Sequence, residues 1–154
     1  MRKILIQGGT VISMEPSRVA GLIENILIEN DQISDVGGIN PTDDMEVIDA
    51  TDCIVLPGLI DSHVHTWQTG LRGIAGDWTV PQYMRAMHRG LATFFHPEDI
   101  YIANLIGALS KLDAGITTLV DWCHNNPTPD HTDSAIDGLF ESGARALFLH
   151  GSPK

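Results

Sequence analysis

Apolar positions change their rhythm once along this chain. Up to about residue 56 they come in short runs broken by turn-forming residues, the pattern of strands joined by tight turns. Residues 3–7 and 10–13 flank Gly8-Gly9, a pair suited to a hairpin turn. Residues 25–29 and 32–36 flank Asn30-Asp31, a second hairpin signal. Residues 47–48 and 53–56 complete a set of short strands, punctuated by Gly37-Gly38 and Pro41. After Pro57-Gly58, strand-like runs alternate with helical spacing. Residues 59–63 read as a strand. Ile102, Leu105, Ile106, Leu109 and Leu112 recur at helical intervals and predict a helix over 100–112. Pro97 suits its first turn, Glu98 and Asp99 its positive end, and Gly115 its stop. A shorter helix is expected over 83–91 and another over 134–141, where Ala135, Ile136, Leu139 and Phe140 share one side and Gly143 closes it. The β-branched residues 116–120 and the apolar residues 144–149 read as two further strands.

Strand, helix, strand, helix, strand implies parallel pairing with right-handed crossovers. An open doubly wound sheet and a slice of a (β/α)8 barrel both satisfy that order, and periodicity does not separate them. The division falls at Pro57, giving a β region over 1–56 and an α/β region over 57–154.

At 154 residues the chain is long enough for one modest domain with a core. A formal net charge of −11 argues against nucleic-acid binding, which needs a basic surface to neutralise phosphates. No run approaches the 18 or more apolar residues of a membrane span. The start shares only two basic residues with a signal peptide, because its apolar stretch ends at Gln7. A cytoplasmic location is the default expectation. Cys53 and Cys123 are far apart and form no C-x-x-C pair, so they are expected as reduced thiols, with Cys123 buried and inert.

The stretch richest in chemistry is Pro57-Gly58-Leu59-Ile60-Asp61-Ser62-His63-Val64-His65. Residues i and i+2 of a strand point to the same side. His63 and His65 therefore offer two imidazoles to one point, within reach of a single metal ion. They stand where a strand ends, the edge at which active sites of α/β proteins gather. Among seven histidines a bare H-x-H arises readily by chance; an apolar strand entered through Pro-Gly and ending in Asp-x-His-x-His does not. Imidazole suits zinc, iron and nickel.

Three stretches carry a family resemblance. They are Val55 through His65, then Gly70-Leu71-Arg72-Gly73, then Leu112-Asp113-Ala114-Gly115-Ile116-Thr117-Thr118-Leu119-Val120-Asp121. The opening Ile4-Leu5-Ile6-Gln7-Gly8-Gly9-Thr10-Val11-Ile12 matches as well. The chain resembles the amidohydrolase superfamily, closest to its branch of chlorohydrolases and aromatic-heterocycle deaminases such as triazine hydrolase, cytosine deaminase and 8-oxoguanine deaminase. The resemblance implies the N-terminal part of a metal-dependent (β/α)8 TIM barrel, about strands 1–3, preceded by part of a small β-sandwich over 1–56. It implies His63 and His65 as metal ligands, with the centre completed by a histidine after the fifth strand and an aspartate after the eighth.

A whole barrel takes roughly 250 residues, so those further ligands and the general base are expected outside this chain, which then holds no catalytic acid or base. A truncated product or a proteolytic fragment is preferred over one piece of a split enzyme. The intact enzyme is expected to deaminate a small nitrogen heterocycle by metal-activated water, with zinc as the first candidate ion and iron the second. Dechlorination of the same kind of carbon is the nearest alternative, and a non-catalytic fragment or subunit that binds a partner chain is another. Relatives are often oligomers, which makes a homo-oligomer the expectation for the intact protein.

Gln68 is a candidate to hydrogen-bond a substrate ring, against the plainer reading of a solvent-facing loop residue. Trp67 is a candidate pocket wall, or else packs beneath the loop. His124 leaves the end of the second α/β strand and is a candidate substrate contact rather than a ligand. Arg72 reads as structural. His88, His96, His131 and His150 lack comparable context, with His96 marking a helix boundary.

Overall fold

A computed structural model describes residues 2–151, in two compact units that divide between Pro57 and Gly58. The first unit is a five-stranded sheet of β1 (Lys3–Val11), β2 (Leu22–Glu29), β3 (Gln32–Gly37), β4 (Glu46–Asp49) and β5 (Ile54–Val55), ordered β3-β2-β1-β4 with β5 also on β1. The β2–β3 hairpin turns at Asn30-Asp31 as the sequence predicts, Asn30 taking a left-handed φ of 56°. Gly8-Gly9 does not make a hairpin turn. β1 runs straight through it, and its register on β2 slips between Ile6 and Gly9. Gly8 has φ 76°, and its N–H leaves the ladder to donate to Asn25 Oδ1 at 2.8 Å. Paired glycines fit a bulge as well as a turn, because both need a residue at positive φ. The partner of β1 is instead β2, reached through the long connection from residue 12 to 21.

The second unit carries the parallel strands β6 (Leu59–Val64), β7 (Ile116–Cys123) and β8 (Arg145–His150) in the order β6-β7-β8. Between β6 and β7 lie a 3-10 turn (Thr66–Leu71), the short α1 (Val80–Tyr83), a π-type turn (Met84–His88), a second 3-10 turn (Leu91–Phe94) and α2 (Pro97–Asp113). The single helix expected over 83–91 is therefore broken. Pro81 seeds its start earlier, and the Arg89 N–H bonds back five residues to Met84. α2 opens at His96, whose backbone N–H donates to Asp99 Oδ2 at 2.8 Å, with Pro97 first in the helix. α3 (Pro129–Glu141) joins β7 to β8 and begins five residues before the predicted 134. Thr128 caps it and Pro129 follows, a start signal in a polar stretch without apolar periodicity.

α2 buries its small side rather than its large one. Ile100, Ala103, Asn104, Gly107 and Ala108 face inward, while Ile102 and Ile106 are each 49% exposed. Close approach explains the choice. A Cβ on Gly138 of α3 would lie 2.4 Å from the Tyr101 carbonyl oxygen, so the two backbones touch there. Trp67, Met87, Ile100, Cys123 and Ala135 form one buried cluster, and Ala108, Leu119 and Leu139 a second. Along β7, Leu119, Asp121 and Cys123 have no exposed surface and Trp122 between them is open, the strand alternation expected of a sheet with one face on its helices. Among the described residues no helix is long and apolar enough to cross a membrane.

Replacing Gly138 with alanine gains about 1 kcal/mol of helix propensity but drives a methyl into α2. The expected net loss is about 1–3 kcal/mol, measured by urea unfolding followed by circular dichroism; a stabilised variant would contradict the contact.

Candidate metal centre

Parallel strands bring their carboxyl ends to one edge, and β6 and β7 do so in the register Val64–Asp121. His63 is in the last turn of pleat of β6, and His65 follows its final residue. Their ring centres are 4.9 Å apart and the planes stand at 81°. His63 also meets Trp122 edge-on at 5.5 Å. Each histidine is steadied by a neighbouring group. The His63 N–H donates to Asp61 Oδ1 at 3.2 Å, and Asp61 Oδ2 receives Lys111 Nζ at 2.7 Å. The His65 Nδ1 lies 2.7 Å from the Trp122 carbonyl oxygen. A carbonyl only accepts, so Nδ1 carries the proton and the lone pair is on Nε2.

His124, just beyond β7, stacks on His65 with ring centres 4.2 Å apart. Its Nδ1 accepts the Trp67 indole N–H at 3.2 Å. An indole only donates, so the neutral His124 ring carries its proton on Nε2. The two stacked imidazoles thus have opposite tautomers: His65 turns a lone pair to its far side and His124 an N–H. Trp67 is fully enclosed; it packs beneath the loop and orients His124 rather than lining a pocket. Gln68 Nε2 donates to the Tyr83 hydroxyl, and that hydroxyl lies 3.2 Å from His88 Nε2.

His88 lacked any motif context in the sequence, yet its ring is 4.4 Å from that of His124. The π-type turn carries it there, and that geometry has no 3.6-residue signature to detect. His131 is elsewhere, bridging Thr128 Oγ1 at 2.7 Å and the Phe95 carbonyl at 3.0 Å. His96 caps α2 and His150 ends β8.

Beneath the imidazoles lies a buried polar group of Asp121, Asn104 and Thr66, each at most 1% exposed. Asp121 Oδ1 accepts the Thr66 N–H at 2.9 Å. Burial pushes the Asp121 carboxyl above its usual range, against the Thr66 N–H that holds it down. Cys123 is pushed up to about 12, by burial foremost and by the Asp121 charge.

No family model matches the chain. It is 28% identical over 151 residues to the 5-methylthioadenosine/S-adenosylhomocysteine deaminase of Carboxydothermus hydrogenoformans, covering 96% of the chain and 33% of that protein. It is 29% identical over 153 residues to the 5'-deoxyadenosine deaminase of Methanosarcina acetivorans, covering 98% of the chain and 34% of that protein. In structure it matches the zinc-complexed atrazine chlorohydrolase of Arthrobacter aurescens with a TM-score of 0.85 at 27% identity, over 94% of the chain and 35% of that enzyme. Its homologues are deaminases and chlorohydrolases of the amidohydrolase superfamily. The chain spans about a third of the length of these amidohydrolases. Its β6-α2-β7-α3-β8 array matches about a third of the chlorohydrolase, and its structural neighbours are amidohydrolase (β/α)8 barrels.

Two imidazoles sharing a tetrahedral zinc, with Zn–N of about 2.1 Å, place their ring centres roughly 5 Å apart. The His63–His65 spacing of 4.9 Å fits, and so does the backbone carbonyl on His65 Nδ1, a common outer partner of ligating histidine. A catalytic zinc takes three protein ligands. Among the described residues no group of three or more His, Cys, Asp or Glu side chains is arranged to hold an ion, so this pair fits a share of the shell.

Two outcomes follow from the local electrostatics. Lys111 holds the Asp61 carboxyl below its ordinary range, so the pair's contribution is complete at neutral pH and disappears as the pH falls through that depressed value. Lys111→Met should cost about 0.5–1 kcal/mol at pH 7 for this part-buried pair, and its unfolding curve should converge with that of the parent in acid. A thiol-reactive disulfide reagent should titrate one cysteine in the folded chain, the exposed Cys53, and both in denaturant; two fast thiols in the native state would show that Cys123 is not enclosed.

Proposed function

We propose that the protein is a metal-dependent hydrolase of non-peptide carbon–nitrogen bonds that deaminates a small nitrogen heterocycle. In this reading residues 1–56 contribute to a small β-sandwich, and residues 57–154 are the first strands of the barrel, with His63 and His65 as two of the metal ligands. The observation that carries it is the 4.9 Å imidazole pair at the carboxyl edge of parallel strands, with the His65 Nδ1 turned to the Trp122 carbonyl, which leaves Nε2 as the nitrogen to face an ion. The deaminase names of two relatives support the reaction class, and the zinc of the chlorohydrolase and of an adenosine deaminase from Xanthomonas campestris, 25% identical with a TM-score of 0.65, supports zinc ahead of iron.

When bound, the ion supplies a Lewis acid and makes water acidic enough to act as nucleophile at neutral pH. This chain's own residues prepare the site around it. His63 and His65 present the nitrogen donors; Asp61 accepts the His63 backbone N–H, and Asp121 accepts that of Thr66, the residue after His65. His124, whose Nδ1 accepts the Trp67 indole N–H, stacks beside His65 and is a substrate contact in this reading. Gln68 spends an amide N–H on Tyr83 and keeps its carbonyl as an acceptor suited to a substrate amino group. In this reading the remaining ligands, the acid and the base come from residues beyond these 154, and this segment alone is inactive. Removal of chloride from a comparable ring carbon is the second reading, favoured by the 0.85 TM-score to the chlorohydrolase.

Zinc titration of the chain by calorimetry should show binding that His63→Ala and His65→Ala each abolish. In the intact enzyme His63→Ala should lower ammonia release by about a thousandfold or more, in line with loss of a nucleophile-generating ion. Full metal content and turnover in the His63 variant would remove it from the ligand set.

A further inference from the structure

Asp121 is the least expected charge in the molecule. It has no exposed surface, and it lies on the helix-facing side of β7 between Leu119 and Cys123, where an apolar residue would pack at lower cost. Its neighbours are arranged around it at further cost. Asn104 Nδ2 points to two acceptors, the Ala135 carbonyl at 3.0 Å and Asp121 Oδ2 at 3.5 Å. That orientation strands Asn104 Oδ1, which is buried without a hydrogen-bond partner. Rotating the Asn104 amide would set its oxygen against both acceptors. Three buried polar side chains are thus held in a fixed arrangement that stability alone does not favour.

The bonds around Asp121 close on themselves. Asp121 Oδ1 accepts the N–H of Thr66, the residue after His65. The next residue of β7, Trp122, turns its carbonyl to His65 Nδ1. The dipeptides 65–66 and 121–122 are therefore joined by two hydrogen bonds into one ring, one through a backbone N–H and the other through the imidazole. β6 has already ended at Val64, so no further ladder bond holds His65 in register.

We propose that Asp121 is the positioning residue of His65: by fixing the Thr66 N–H it sets the chain that leaves β6, and so aims the imidazole at the Trp122 carbonyl and its Nε2 at the metal. The role of Nε2 rests on the ligand reading of His65; the control of its tautomer does not. Asp121 touches neither ion nor substrate, and acts only through the direction of a neighbouring ring.

The test uses the 15N-labelled chain free of metal. Long-range 1H–15N correlation reads the tautomer of His65, assigned by its absence in His65→Gln, and zinc calorimetry follows on the same samples. The parent should show a single Nδ1–H tautomer. Asp121→Ala should average the two tautomers and weaken zinc about 10- to 100-fold, the range for loss of a ligand's outer support. Asp121→Asn keeps an oxygen for the Thr66 N–H and should restore most of both. Thr66→Pro removes the donor itself while suiting the first position of a turn, and decides the matter if Asp121→Ala fails to fold. A parent-like tautomer in either Asp121→Ala or Thr66→Pro overturns the proposal, as does an Asp121→Asn chain no better than the alanine variant. Parent chain that shows the single tautomer but no His65-dependent zinc binding would instead refute the ligand reading and leave the tautomer result to judge Asp121.

Discussion

Parallel pairing of β6 with β7, in the register that sets Val64 beside Asp121, is the constraint on which the rest of the second unit depends. A parallel neighbour cannot be reached by a hairpin, so the chain must travel the length of the sheet and back. The route it takes, through two 3-10 turns, a π-type turn and α2, brings Gln68, Tyr83 and His88 into hydrogen-bonded contact. The same register delivers Trp122 and His124 to the rings of the H-x-H pair. Nothing in 57–65 alone could supply the carbonyl that fixes the His65 tautomer; it arrives from 57 residues away.

The stacked pair of His65 and His124 shows how one residue type is given two characters by what stands behind it. An acceptor behind His65 makes its outer nitrogen a base; a donor behind His124 makes its outer nitrogen an acid in the hydrogen-bonding sense. The partners are a main-chain carbonyl and an indole, and neither titrates near neutrality. The assignment is thus built into the covalent identity of the partners.

How much of this could be read beforehand depended on the range of the signal. The H-x-H strand, the β2–β3 hairpin and the three parallel strands declare themselves within a few residues, through alternation and turn chemistry. The amidohydrolase likeness extends over the same segments. His88 was silent, because its place depends on a π-type turn and on β7 meeting β6. The apolar rhythm of α2 marked a helix correctly but said nothing of which side faces inward. There the nearness of α3 decides, favouring Ala103, Gly107 and Ala108 over Ile102 and Ile106. Gly8-Gly9 misled for a simple reason: a bulge and a turn ask for the same backbone freedom, and only the pairing partner tells them apart.

The segment from Arg72 to Thr79 runs between two fixed points, the 3-10 turn that ends at Leu71 and the start of α1 at Val80. Six of its eight residues are exposed. Insertions or deletions there would leave the imidazole pair and the hydrogen bonds behind it in place while shifting Tyr83 and His88, whose rings meet edge-on at 5.1 Å. A change of loop length is therefore separable, in this fold, from the strands that position His63, His65 and Trp122.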